Sequence, residues 1–234
     1  MRRLLLLPLL LVACGSEVTT RDGVELGEEL VHSPSLSASS FNTLSCASCH
    51  QTSEPADDRI LPGYPLLGAA NRPELWGGNV PDLKTAVDFC LVYFMKGDPL
   101  DPASDEARGL YEWLLSVADR GPQDSLPLSV VLAVEEAPPR GDPELGREIH
   151  RRACQVCHGA PHTGEGGLVA DAVMLPDQAR DEAAELFPGY DPAVVFTEKV
   201  RHGQFFGVGG VMPLYSLEAL SDEELGALLA FYGL

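Results

Sequence analysis

Two pentads, Cys46-Ala47-Ser48-Cys49-His50 and Cys154-Gln155-Val156-Cys157-His158, fix what this chain of 234 residues has to fold around. In each, two thiols three residues apart share one helical turn, the spacing at which both add to the vinyl groups of one porphyrin while the next imidazole reaches the iron. Cys46 and Cys49, and Cys154 and Cys157, therefore read as thioether attachment points for two haem c groups, with His50 and His158 as metal ligands. A structural zinc or a redox dithiol would also use Cys-x-x-Cys, but neither needs the following His.

The first residues carry an address rather than a fold. Met1-Arg2-Arg3 is basic, Leu4 to Val12 is apolar but too short to cross a bilayer, and Leu11-Val12-Ala13-Cys14 ends a small-residue cleavage site on a cysteine. The pattern resembles the leader of bacterial lipoproteins. That resemblance implies a signal peptide over residues 1–13, lipidation at Cys14, a tether over 14–22, and a place in the cell envelope or periplasm, held to a membrane by the lipid anchor. Gly15 stands where an acidic residue would mark inner-membrane retention, which points to the outer membrane. Lys and Arg number 16 against 35 Asp and Glu, a formal charge of -19. So acidic a surface excludes nucleic acid and suits other redox proteins, with a basic docking face, as partners.

The chain repeats itself. Leu26-Gly27-Glu28-Glu29-Leu30 ahead of the first pentad matches Leu145-Gly146-Arg147-Glu148-Ile149 ahead of the second, and Ser104-Asp105-Glu106 matches Ser221-Asp222-Glu223. Both Ser-Asp-Glu tracts are helix starts, and Ser221 with Glu224 has capping-box spacing. Leu110, Trp113, Leu114 and Val117, and later Leu225, Leu228, Leu229 and Tyr232, recur at helical spacing. Helices are expected over 24–31, 82–96 and 104–117, and again over 143–152, 192–203 and 221–231. The resulting division is 23–120, a Pro-rich connection over 121–142 that packs rather than flexes, and 143–234.

In the second unit the order of leading helix, pentad, Gly-rich loop, helix, Gly209-Gly210-Val211-Met212-Pro213 and Ser-Asp-Glu-Glu helix resembles class I cytochromes c. The likeness extends over nearly all of residues 24–234. It implies an all-α chain of two tandem cytochrome c-like helical domains, each around one covalently bound haem c. Carried over by position, it makes His158 the proximal and Met212 the distal iron ligand of haem 2. It also puts Pro65 where the family's carbonyl accepts the proximal imidazole N–H of His50. Trp76 has either a haem edge or the core to pack against. His32, His150, His162 and His202 read as surface or helix-end residues.

The first unit departs from this pattern. From Gly97 to Ser104 there are 7 residues, against 18 from Gly203 to Ser221, so the Met-bearing loop is missing. The sixth ligand of haem 1 must then come from the preceding helix, which offers Cys90 and Met95. Cys90 is the one thiol left after lipidation and thioether formation. The segment around it, Ala86-Val87-Asp88-Phe89-Cys90 with Gly97-Asp98-Pro99-Leu100, resembles the dihaem thiosulfate-oxidising cytochromes, whose corresponding Cys ligates haem. Gapless alignment from the two Ser-Asp-Glu tracts instead sets Met95 opposite Met212, and both candidates stay open. Thiolate would lower the potential of haem 1 and thioether would raise it.

These readings favour electron transfer by two six-coordinate haems over catalysis. The thiosulfate-oxidising resemblance implies an oxidoreductase acting on a sulfur oxyanion such as thiosulfate at a Cys-ligated haem 1. That site would need cations, and Arg59, Arg72, Lys84 and Lys96 are those available. Residues 26–46 resemble the opening of bacterial dihaem cytochrome c peroxidases, which implies peroxide reduction at an open sixth position.

Overall fold

Most of the helices start at a side chain that accepts from an otherwise unpartnered first-turn amide. The computed structural model describes residues 22–54, 56–129, 131–205 and 212–234; the leader, Cys14 and Gly209-Gly210-Val211 lie outside the described residues. Asp22 opens α1 (Gly23–His32) by accepting from the Val24 amide. The first pentad forms the single turn α2 (Cys46–Cys49). Asp82 opens α3 (Leu83–Phe89), which widens into a π turn over Cys90–Phe94, and Ser104 opens α4 (Asp105–Ser116). The second half repeats the plan: α5 (Pro143–Ile149) with a π turn over His150–Cys154, α6 (Gln155–His158), α7 (Asp177–Leu186), α8 (Pro192–His202) and α9 (Asp222–Tyr232). Among the described residues the only β pairing is an isolated bridge between Leu75 and Val80. The fold is all-α.

The expected helices are present within one or two residues, and Ser221 and Glu224 form the capping box. The exception is α7, Asp177-Gln-Ala-Arg-Asp-Glu-Ala-Ala-Glu-Leu, in which Ala183 is the one buried residue. Its charged, alanine-rich sequence forms a helix by propensity and shows no broad apolar stripe to read.

The repeated Leu-Gly sequences have a common cause. In each half the leading helix crosses the closing helix at its glycine. A Cβ on Gly27 would lie 2.1 Å from the Gly109 carbonyl oxygen and 2.5 Å from the Trp113 Cβ. A Cβ on Gly146 would lie 2.0 Å from the Ala227 carbonyl oxygen and 2.7 Å from the Phe231 Cβ. This close crossing seats Val31, Leu110, Trp113 and Leu114 in one core and Ile149, Leu225, Leu228 and Leu229 in the other.

The halves are joined by more than the chain between them. Ile60, from the loop after the first pentad, is buried in the core of the second half, and its amide donates to the Arg152 carbonyl at 3.0 Å. Arg152 Nε donates back to the Asp58 carbonyl at 2.6 Å, and Arg151 pairs with Asp58. The Pro-rich segment is pinned along its length. Tyr64 donates to the Pro127 carbonyl, Ser129 to Glu218, the Gly141 amide to the Gly226 carbonyl, and Arg140 to the Leu234 carbonyl.

Helix propensity favours Ala over Gly by up to ~1 kcal/mol, but at position 146 the crossing leaves no room for a methyl group. Gly146→Ala is expected to destabilise the protein by about 1–3 kcal/mol, read as a lowered midpoint in urea unfolding.

Candidate functional site

The two pentads are built differently but present their side chains alike. In the first, Ser45 and Ser48 cap the single turn of α2, and the His50 amide donates to the Cys46 carbonyl at 2.9 Å, so the imidazole leaves the helix as it ends. In the second, the π turn delivers Cys154 directly into α6, which carries Cys157 and His158. His50 Nδ1 lies 2.6 Å from the Tyr64 carbonyl oxygen and His158 Nδ1 2.9 Å from that of Val173. A carbonyl accepts only, so each Nδ1 carries the proton and each Nε2 keeps its lone pair.

The expected acceptor for His50 was Pro65, one residue off. The Pro65 carbonyl is taken by Arg72 Nη2 at 2.6 Å. Gly63 lies against the imidazole, where a Cβ would come within 2.3 Å of Cε1.

Burial holds His50 and His158 below the usual imidazole range, so both are uncharged electron-pair donors at neutral pH. Burial also pushes the Cys46 thiol up to about 11 and those of Cys49 and Cys154 up to about 12. Cys157 is raised by the same cause.

In the second half these groups converge. Cys154, Cys157, His158 and Met212 line one cleft whose walls are otherwise mainly apolar: Val173, Leu175, Phe196, Val200, Leu220 and Leu228. The cleft holds about 890 Å³ of atom-free space, counting its open mouth. Two thiols, an imidazole with a free Nε2 and a thioether in a dry slot suit a large planar iron porphyrin. Among the described residues no three His, Cys, Asp or Glu side chains gather as a bare metal-ion site, as one zinc shared by both Cys pairs would require. Ser48, Cys49, Arg59, Ile60, Leu61 and Pro62 from the first half form part of the same lining, so the cleft at Met212 reaches the first pentad.

In the first half, Cys90 and Met95 bracket the π turn, with the Met95 amide donating to the Cys90 carbonyl at 3.1 Å. This i+5 register brings the two closer to one face than the α-helix assumed from sequence. Their surroundings separate them. Cys90 lies within electrostatic reach of Cys46 and Cys49, and burial raises its thiol to about 12. Met95 is sealed in a core cluster with Leu44, Leu91, Leu100 and Ala107, its carbonyl accepting from Ser37 Oγ at 2.8 Å. Trp76 stacks on Phe94 at 6.4 Å between centroids and meets Phe89 at 6.3 Å.

His150, expected at the surface or at a helix end, does follow the last residue of α5 but is buried, 2% exposed. Its Nε2 donates to the Gly159 carbonyl at 3.1 Å, which leaves Nδ1 to accept from the Tyr232 hydroxyl at 2.5 Å. Tyr232 also lies within electrostatic reach of Cys154. The sequence signal was available: four positions before Cys154, His150 falls on the inward face of its helix. His32 and His162 are exposed, and His202 is half-buried at the end of α8.

Residues 141–231 match the family model of cytochrome c oxidase, cbb3-type, subunit III. This segment is similar to c-type cytochrome domains. Such a domain implies covalent haem c and electron transfer, and the thiols of Cys154 and Cys157 with His158 are the groups placed to hold it. No curated protein sequence matches the chain. Among solved structures, thiosulfate dehydrogenase (TsdBA) from Marichromatium purpuratum, in its as-isolated form, is 18% identical over 90% of this chain, with a TM-score of 0.43. The match spans 45% of that chain, and at this similarity it carries no functional argument. Domains of this cytochrome type are typically extracytoplasmic, and no described helix is long and apolar enough to cross a membrane.

If Ile60 is a structural part of the second half's cleft, Ile60→Ala will destabilise the protein by about 2–4 kcal/mol. Urea denaturation followed by circular dichroism measures this. A surface-loop residue would change stability by only ~0.5 kcal/mol or less.

Proposed function

We propose that the chain is a dihaem c-type cytochrome, two tandem cytochrome c domains, that carries electrons in the bacterial cell envelope while tethered to a membrane by lipid on Cys14. The observation that carries this reading is the cleft in which Cys154, Cys157, His158 and Met212 meet and whose wall includes Cys49 of the first pentad. When bound, each haem c supplies a one-electron iron couple.

The protein's own residues do the remaining work. Tyr64 and Val173 carbonyls orient the two imidazoles and make them more basic. The apolar walls exclude water, and the helix crossings hold the ligands still, so little has to rearrange when charge changes. For haem 1 the reading takes Cys90 as sixth ligand, because it stands beside the attachment thiols while Met95 is packed into the core.

Four cations could have formed an oxyanion site near the first pentad, and each is engaged by the protein. Arg72 donates to the Pro65, Leu67 and Pro122 carbonyls, and Lys84 pairs with Asp88. Arg59 pairs with Asp57, and Lys96 donates to the Tyr93 carbonyl. This supports a carrier over turnover of thiosulfate. The partners are other redox proteins presenting a basic face to the acidic surface, and the membrane is the outer one.

Mass spectrometry of the matured chain is expected to show the added mass of two porphyrins; the mass of one would end the dihaem reading. Electron paramagnetic resonance of the oxidised protein separates thiolate, thioether and open-site irons. Cys90→Met is expected to raise the potential of haem 1 and leave haem 2 unchanged; an unchanged haem 1 removes Cys90 as its ligand. Reduction by a basic partner is expected to slow steeply with added salt.

A further inference from the structure

Arg201 is the most deeply buried charge among the described residues, its side chain 1% exposed, and it points at the segment that carries Met212. Nη1 lies within hydrogen-bond distance of three main-chain carbonyls, those of Tyr215 at 3.0 Å, Ser216 at 3.1 Å and Leu220 at 2.7 Å. Nη2 reaches Asp222 Oδ1 at 2.8 Å, at the first turn of α9. The same end of α8 holds the segment through its backbone as well. The Val200 carbonyl accepts from the Tyr215 amide at 2.9 Å and the Gly203 carbonyl from the Met212 amide at 3.0 Å.

We propose that Arg201 is a positioning residue that keeps the Met212 segment closed, so that opening of this segment and loss of Met212 from the iron are a single event. The proposal rests on the reading of Met212 as the sixth ligand of haem 2. Three inward-facing carbonyls converge on one guanidinium, and that of Ser216 also accepts from the Leu220 amide at 3.0 Å. Without Arg201 those of Tyr215 and Leu220 lose this donor and stay unsatisfied or must turn out to water, and either costs more than an ordinary lost contact. Turning out moves Tyr215 and Ser216, and Met212 is three residues before Tyr215. All three carbonyls meet the one nitrogen Nη1, and a lysine ammonium also carries three donors on one nitrogen, so the variant that removes the donor is Arg201→Leu. Asp222 is the outer, 64% exposed partner and is not what the arrangement needs most.

The test is imidazole titration of the oxidised dihaem protein, read together with the long-wavelength charge-transfer band of thioether-ligated ferric haem. Covalent haem content and far-UV circular dichroism monitor folding. Arg201→Leu is expected to weaken the band and to bind imidazole at haem 2 at least about tenfold more tightly than the unaltered protein. Asp222→Asn is expected to change both far less. A folded Arg201→Leu protein with the original band and imidazole affinity overturns the proposal, as does an Asp222→Asn effect of equal size.

A second measurement needs no substitution. Amide exchange at Met212 and Tyr215 should accelerate when imidazole saturates haem 2, and retained protection overturns the idea that opening and ligand loss are one event. Met212→Leu separates the two readings. If it leaves band and affinity unchanged, ligation by Met212 fails and takes this proposal with it. If it abolishes the band while Arg201→Leu has no effect, only the role of Arg201 fails.

Discussion

A backbone contact, Gly146 against the Ala227 carbonyl with its counterpart at Gly27 and Gly109, is the constraint on which the rest of the structure depends. Each fixes where a leading helix ends relative to a closing one, and each pentad follows its leading helix in the chain. The distance between thiol, imidazole and core is therefore set by a main-chain approach that no side chain can tune. The glycine is a placement device more than a source of flexibility. It lets Ile149 and His150 reach the closing helix, and His150 in turn ties the residue after the pentad, Gly159, to Tyr232.

Much of this was readable from sequence because it is local. The Ser-x-x-Glu tract at 221–224 declares a helix start, and the Leu-Gly repeat marks the crossing even before its reason is known. What was not legible depends on pairings between distant positions. That Tyr64, and not Pro65, faces His50 turns on one peptide unit of register, and Arg72 claims the neighbouring carbonyl. Ile60 lies in an irregular loop with no periodicity to betray its burial in the other half. Arg201 sits on an otherwise ordinary amphipathic turn, and nothing in its neighbours announces three carbonyls converging from fourteen to nineteen residues downstream.

The two π turns belong to both categories. One ends at the residue after which Met95 begins, and the other ends on Cys154 itself. A helix read at 3.6 residues per turn places the side chains on either side of such a turn on the wrong relative bearing. Wide turns of this kind are costly in an isolated helix and persist where surrounding packing holds them. Here the packing is the two halves' own cores.

The seam between the halves has one more meaning. Tyr215, on the Met212 side, donates its hydroxyl to the Ala153 carbonyl at 2.9 Å and lies 3.4 Å from that of Ile60, while Cys157 packs against the cluster containing Leu91 and Met95. Were each pentad to hold a haem as proposed, charge crossing between them would travel through bonded protein at a fixed separation. Traffic inside the molecule would then have no encounter step, and the rhythm of the whole would be set by arrivals and departures at its outer surface.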